Sequence, residues 1–145
     1  MPAPVPATTT TRTVSQLFTL LEALLGTYGS WTIYKYHGSN ISRLLMEMPH
    51  VNLPACVICY EGSHYYKYPD TRRPRIHIVC AVQEPQNLFT EGFLGATALA
   101  EKAVELLDQQ ILTGARARVD VVEDNALDLG PTISAIDVEF DIHDH

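Results

Sequence analysis

Residues 135–143 read Ala-Ile-Asp-Val-Glu-Phe-Asp-Ile-His, and from Ile136 to His143 apolar and polar side chains alternate without exception. Ile136, Val138, Phe140 and Ile142 fall on one side of an extended chain. Asp137, Glu139, Asp141 and His143 fall on the other, because successive side chains of a strand point to opposite faces. A strict period of two with one apolar and one charged face is the mark of a sheet packed on one side and wet on the other. The carboxy-terminal strand, expected over residues 132–142, therefore fixes the architecture as a sheet with its core on one face.

Working back from it, residues 115–122 form the preceding strand, with 123–131 as the connection. Residues 88–112 contain a long helix, in which Phe93, Ala96, Ala100, Ala103, Val104, Leu107 and Ile111 recur at helical spacing and Gly114 is the stop. Residues 73–82 alternate as a strand. Residues 55–60 (ACVICY) form a near-continuous apolar run, the pattern of a central strand buried on both faces. The polar and aromatic stretch 61–71 (EGSHYYKYPDT) between them reads as a long hairpin connection. Nearer the amino terminus, Val14, Leu17, Leu20, Leu21, Leu24 and Leu25 predict an amphipathic helix within residues 13–28. Thr13 is its N-cap, and Gly26 and Gly29 are its stops. Residues 30–36 (SWTIYKY) are β-branched and aromatic, as in a short strand. Ile41, Leu44, Leu45 and Met48 predict a short helix. The expected fold is α+β: a mainly antiparallel or mixed sheet of four to five strands, carrying two long helices and one short one. Residues 1–12, rich in proline and threonine, are expected to be a flexible arm, and 13–145 a single domain.

Composition limits the function classes. The chain has 145 residues, with 46% hydrophobic and 19% charged. That is enough to bury roughly 68–70% of its unfolded surface. No apolar run approaches the roughly 18 residues of a membrane span. The net charge of −7 disfavours primary binding to nucleic acid, which calls for a basic surface. The amino terminus lacks the basic and apolar regions of a secretory signal. The three cysteines, Cys56, Cys59 and Cys80, do not form a disulfide framework, so synthesis in a reducing compartment is expected.

The motifs that carry chemistry are absent or misplaced. Cys56 and Cys59 have CxxC spacing, but inside a strand they face opposite sides, so both read as buried structural residues. His143 and His145 offer two ligands where a structural zinc site takes four. No GxSxG elbow and no phosphate-cradling glycine loop occurs. His37, His50, His64 and His77 share no ligand spacing with acids. No catalytic set, cofactor site or metal site is expected.

Charge, by contrast, is distributed unevenly. No lysine or arginine follows Arg118, whereas Asp120, Glu123, Asp124, Asp128, Asp137, Glu139, Asp141 and Asp144 do. Lys67, Arg72, Arg73 and Arg75 cluster in and just after the expected hairpin. One reading is a solvated face plus a solvated loop. The sharper reading is an assembly interface. There the basic loop of one copy (Lys67, Arg72, Arg73, Arg75) meets the acidic face of the next (Asp137, Glu139, Asp141), as in heterologous contacts that close into rings.

The order of these elements resembles the tail terminator (tail-completion) proteins of tailed bacteriophages and related contractile tails. The resemblance rests on the helix from Val14 to Leu25 and on the Pro-led strand 53–62 (LPACVICYEG). It continues through the arginine-opened strand 72–79 (RRPRIHIV), the helix 92–109 and the closing strand 135–140 (AIDVEF). It implies a non-enzymatic virion protein, made in the host cytoplasm, with a small sandwich of sheet and flanking helices. It further implies a hexameric ring that caps the head-proximal end of the tail tube. The partners implied are the tail tube protein and a head–tail connector or neck protein, with DNA free to pass through the ring. Two other classes fit the same chain. One is a different head–tail connector, such as a stopper or neck adaptor. The other is a small α+β enzyme or ligand-binding protein with a deep pocket lined by His77, Tyr60 and carboxylates.

Overall fold

The structure, a computed structural model, describes residues 13–38, 53–67, 70–83, 95–113, 117–128 and 133–144. Helix α1 (Val14–Leu25) opens the described chain. The Thr13 hydroxyl accepts the Gln16 N–H at 3.1 Å and caps it. Leu17, Phe18, Leu21 and Leu25 are buried, while Val14, Leu20 and Leu24 flank the stripe. The helix ends at Gly26, where Trp31 turns back beneath it. The Trp31 indole N–H donates to the Leu25 carbonyl at 3.0 Å, which also accepts the Tyr28 N–H at 3.2 Å, so the last helical carbonyl is satisfied by the turn that follows it. Tyr28 packs edge-on against Trp31 at 4.9 Å, and the Lys102 ammonium lies 5.4 Å from the Tyr28 ring centre. These contacts tie the turn to the second helix.

The strands are β1 (Thr32–His37), β2 (Ala55–Lys67), β3 (Asp70–Gln83), β4 (Ile111–Leu112), β5 (Ala117–Asp128) and β6 (Ile133–Asp144), with α2 (Ala96–Leu107) between β3 and β4. They form one sheet in the order β1-β2-β3-β6-β5-β4. β1 runs parallel to β2, and every other pairing is antiparallel. Both helices pack on one face. Their buried stripes meet Cys56 and Ile58 of β2, Ile76, Ile78 and Cys80 of β3, Val119 of β5, and Val138, Phe140 and Ile142 of β6. The period-two reading of the last strand therefore holds in register and in face. Ile136, at the margin of this core, is half-buried.

The expected element count is corrected. The chain is mostly sheet: six strands in one curled mixed sheet, with two helices among the described residues, in place of four to five strands with two long helices and a short one. The differences have local causes. Residues 61–67, read as loop, continue β2, and β5 runs on to Asp128 where a connection was expected. Their larger apolar residues stand side by side (Tyr65 and Tyr66, Ala126 and Leu127), so neither extension carries an apolar alternation to read. Ile111, assigned to the helix stripe, belongs to the two-residue strand β4. The helix ends earlier, at Leu107. The Asp108 carboxylate accepts the Val121 N–H at 2.9 Å and Gln109 has φ 63°, so the chain turns onto the edge of β5. The short helix expected at residues 41–48, the arm at 1–12, Phe93 and Gly114 lie outside the described residues.

A second, smaller cluster lies on the opposite face at the β1 end. It contains Val57, Cys59, Val79, Ala81 and Ala135, with Tyr34, Tyr36 and Leu53 against it, and it reaches across the sheet to Ile133 of β6 and Leu127 of β5. The run 55–59 is thus buried on both sides, as a central strand requires.

Candidate functional site

The face of the sheet away from the helices carries the charge. Cross-strand register sets it out in rows. Arg75 of β3 lies opposite Asp141 of β6, which lies opposite Asp120 of β5. In the next row His77 faces Glu139, and Glu139 faces Glu123. In the third, Val79 faces Asp137, and Asp137 faces Asn125.

His77 is the centre of this face. Its Nδ1 lies 2.9 and 3.0 Å from the two Asp137 carboxylate oxygens, and its Nε2 lies 3.2 Å from Glu61 Oε2. The three side chains are only 14% (His77), 19% (Asp137) and 25% (Glu61) exposed. Partial burial disfavours the charged ring. The Asp137 hydrogen bond and the charges of Asp137, Glu61 and Glu139 outweigh it, so the pKa ends above its ordinary 6.5. A ring with both nitrogens committed to carboxylates has none to direct at a substrate proton, as a general base must. The geometry instead ties β2, β3 and β6 together through one cation. A second cluster lies nearer the β4 edge. The His143 ring Nε2 bonds Asp120, and Arg118 Nε donates to the same carboxylate at 3.2 Å. The His143 bond, followed by the Arg118 charge, holds the Asp120 pKa below the usual carboxylate range.

Beyond Arg75 the sheet narrows to two strands. β6 accompanies β3 only as far as the Arg75–Asp141 pair, and β1 accompanies β2 only as far as His37–Tyr60. Residues 62–67 and 70–75 continue as a ladder of their own, from Gly62–Arg75 to Lys67–Asp70. Among the described residues no other strand flanks the ladder past Arg75. A bulge at Glu61 marks its root, where Gly62 has φ 127°, a conformation that side chains resist. Arg75 Nη2 lies 3.7 Å from the place a Gly62 Cβ would take. Tyr60 Oη and Ser63 Oγ, 2.8 Å apart, brace the root. Pro74, which has no N–H to give, sits where β3 has lost its β6 neighbour. Tyr65 is 69% exposed.

The expected interface residues are thus divided. Lys67, Arg72 and Arg73 belong to the two-stranded arm, and Arg75 stands at its root, where its register partner Asp141 lies in the same chain. Asp137, Glu139 and Asp141 share the adjacent strand, with Asp137 already bonded to His77. Tyr60 and His77, proposed as walls of one pocket, lie on opposite faces: Tyr60 packs at the helix side and His77 meets Glu61 and Asp137 on the other. Cys56, Cys59 and Cys80 are free and buried. Cys56 faces Cys80 in the helix-side core, and Cys59 lies in the opposite cluster, as alternation requires. The Cys80 hydrogen bond and burial push the Cys56 thiol pKa up, and burial does the same for Cys59. The Glu61–His77–Asp137 cluster was not legible in the sequence, where His77 and Asp137 stand 60 positions apart.

Among the described residues no group of three His, Cys, Asp or Glu side chains is placed to hold a metal ion. No described helix is long and apolar enough to cross a membrane. A recess of about 260 Å³ between Tyr28, Leu53, Val82 and Leu99 offers Ser30 and Gln83 as its polar groups. None of the charged residues above lines it. No protein-family model matches the chain, and no curated protein matches it.

Proposed function

We propose that the chain is a ring-forming virion protein, a tail terminator that caps the head-proximal end of a phage tail tube and presents the surface for head joining. The observation that carries the reading is the two-stranded arm. Among the described residues no third strand flanks this hairpin past Arg75, and a two-stranded hairpin is marginal by itself in water. This one bears Lys67, Arg72 and Arg73, arginines suited to bidentate contact with carboxylates, and the body of the same molecule is acidic. An arm of this kind gains its stability from a neighbour, and identical neighbours joined head to tail close into a ring. The resemblance in element order adds the number six and the tail tube as the surface on which the ring sits.

The test is the Arg72→Glu/Arg73→Glu variant. Native mass spectrometry is expected to find a ring for the wild type, alone or on purified tail tubes, with density capping tube ends in negative stain. Added salt should weaken it. The double variant should keep the wild-type circular dichroism spectrum, since both positions lie beyond the last β3–β6 pair, and should lose the ring. A wild type that stays monomeric at high concentration and leaves tube ends bare would overturn the proposal.

A further inference from the structure

The arm needs a place to dock, and the open edge of β5 fits it. The outward side of β5 is covered at its start only. β4 pairs with Ala117 and Arg118. The chain before it continues the cover: Gln109 N–H donates to the Val119 carbonyl at 2.6 Å, Val119 N–H donates to the Gln110 carbonyl at 2.9 Å, and Asp108 receives the Val121 N–H. Among the described residues the cover ends there. The register then shifts at a bulge between Val121 and Glu123. Val122 is 57% exposed, and Glu123, Asp124, Asn125 and Ala126 are all exposed as well. Five successive exposed residues mean that both faces of this stretch are open, and among the described residues no strand pairs with its outer edge.

Such an edge is a template for another strand, and charge decides which one. The acids select against a second β5, because like charges set opposite one another repel. They select for a basic strand. Asp120 is already held by His143 and Arg118, and Asp137 by His77. Glu123 and Asp124 enter no ion pair among the described residues, which leaves them for an outside partner. Lengths also agree. At ~3.3 Å per residue, edge residues 122–128 span about 23 Å and arm residues 62–67 about 20 Å.

The arm cannot reach this edge within its own chain. It leaves the sheet at the end where Arg75 faces Asp141, the end that β4 covers on β5. The bare stretch of β5 lies toward the other end, where Asp128 faces Ser134. Donor and acceptor thus sit at opposite ends of one molecule, the arrangement that produces head-to-tail contacts. We infer that the basic two-stranded arm of one copy docks along the acidic β5 edge, residues 122–128, of the next.

This inference rests on the ring reading above and names the surface through which the ring closes. Four proteins test it: the wild type, the arm variant Arg72→Glu/Arg73→Glu, the edge variant Glu123→Lys/Asp124→Lys, and the quadruple charge swap. The edge variant should fold as wild type and raise the concentration for half-assembly about tenfold or more. The quadruple variant should regain assembly, and an equimolar mixture of the two double variants should co-assemble in alternation. In hydrogen exchange, the amides of residues 122–128 should gain protection in the wild-type assembly. A Glu101→Lys/Glu105→Lys variant makes the same charge change on the wet face of α2 and should assemble normally. A wild type that assembles while the edge variant assembles equally well would overturn the docking site and leave the ring reading standing. Loss of assembly in the α2 control, or no rescue by the charge swap, would also overturn it. A wild type that never assembles would overturn both.

Discussion

Replacing His77 with glutamine should destabilise the protein in a pH-dependent way, and the direction follows from the structure. The protonated ring donates from Nδ1 to Asp137 and from Nε2 to Glu61, with Glu139 close enough to favour the charge. Glutamine keeps a donor for one carboxylate but carries no charge, so three acids on adjoining strands lose their shared cation. A hydrogen bond to a charged group contributes about 1.5–3 kcal/mol, and the two here share one ring and are partly solvated, so together they reach about 2–3 kcal/mol. Because the folded pKa lies above the ordinary 6.5, this contribution is full below 6.5 and is lost as pH rises through the folded value. The neutral ring still donates one bond, which leaves about 1 kcal/mol at high pH. The assay is urea unfolding of wild type and His77→Gln from pH 5.5 to 9, at one protein concentration throughout so that association does not shift the comparison. Glutamine keeps one such bond, so the difference at pH 6 is about 1–2 kcal/mol; with a urea slope of about 1–3 kcal/mol/M the midpoints should differ by roughly 0.3–2 M there and converge as pH rises. A difference that stays constant with pH, or that grows toward pH 9, would refute the charged-ring account of the cluster.

Phe140→Ala should lower stability by about 3–5 kcal/mol in the same assay, because Phe140 is 1% exposed between Ile76 and Val121 in the helix-side core; a loss under 1 kcal/mol would mean that β6 is set one residue out of register. All three thiols should resist an aromatic disulfide reagent in the native protein and react together once it is unfolded, since each is buried and the Cys56 and Cys59 thiols titrate well above their ordinary value. Fast reaction of any one of them in the folded state would contradict its burial.

Much of this fold is legible in the linear chain, and the reason is periodicity. A buried face repeats every second residue in β6 and every three to four residues in α1 and α2. Those periods are properties of local backbone geometry, so Val138, Phe140, Leu17 and Ala103 announce their burial without reference to the rest of the molecule. The charge asymmetry is likewise a property of the chain alone, and it named Lys67, Arg72, Arg73 and Arg75 as one basic group. Local pattern stops informing where burial does not repeat along the strand. The arm ladder and the second half of β5 are strands because a partner strand completes their hydrogen bonds, and hydrogen bonding leaves no mark on side-chain polarity. The extensions of β2 and β5 read as loops for that reason, whereas β4 is hidden because Ile111 also fits the apolar stripe of the preceding helix. Only the tertiary structure decided which charges meet. Register sets His77 beside Asp137, 60 residues away, and a bulge brings Glu61 to the other nitrogen of the same ring. The order β3-β6-β5 places the arm and the bare acidic edge at opposite ends of one sheet. Strand order and register are relations between distant segments, set by the competition of many pairings for one core, and no segment contains them by itself.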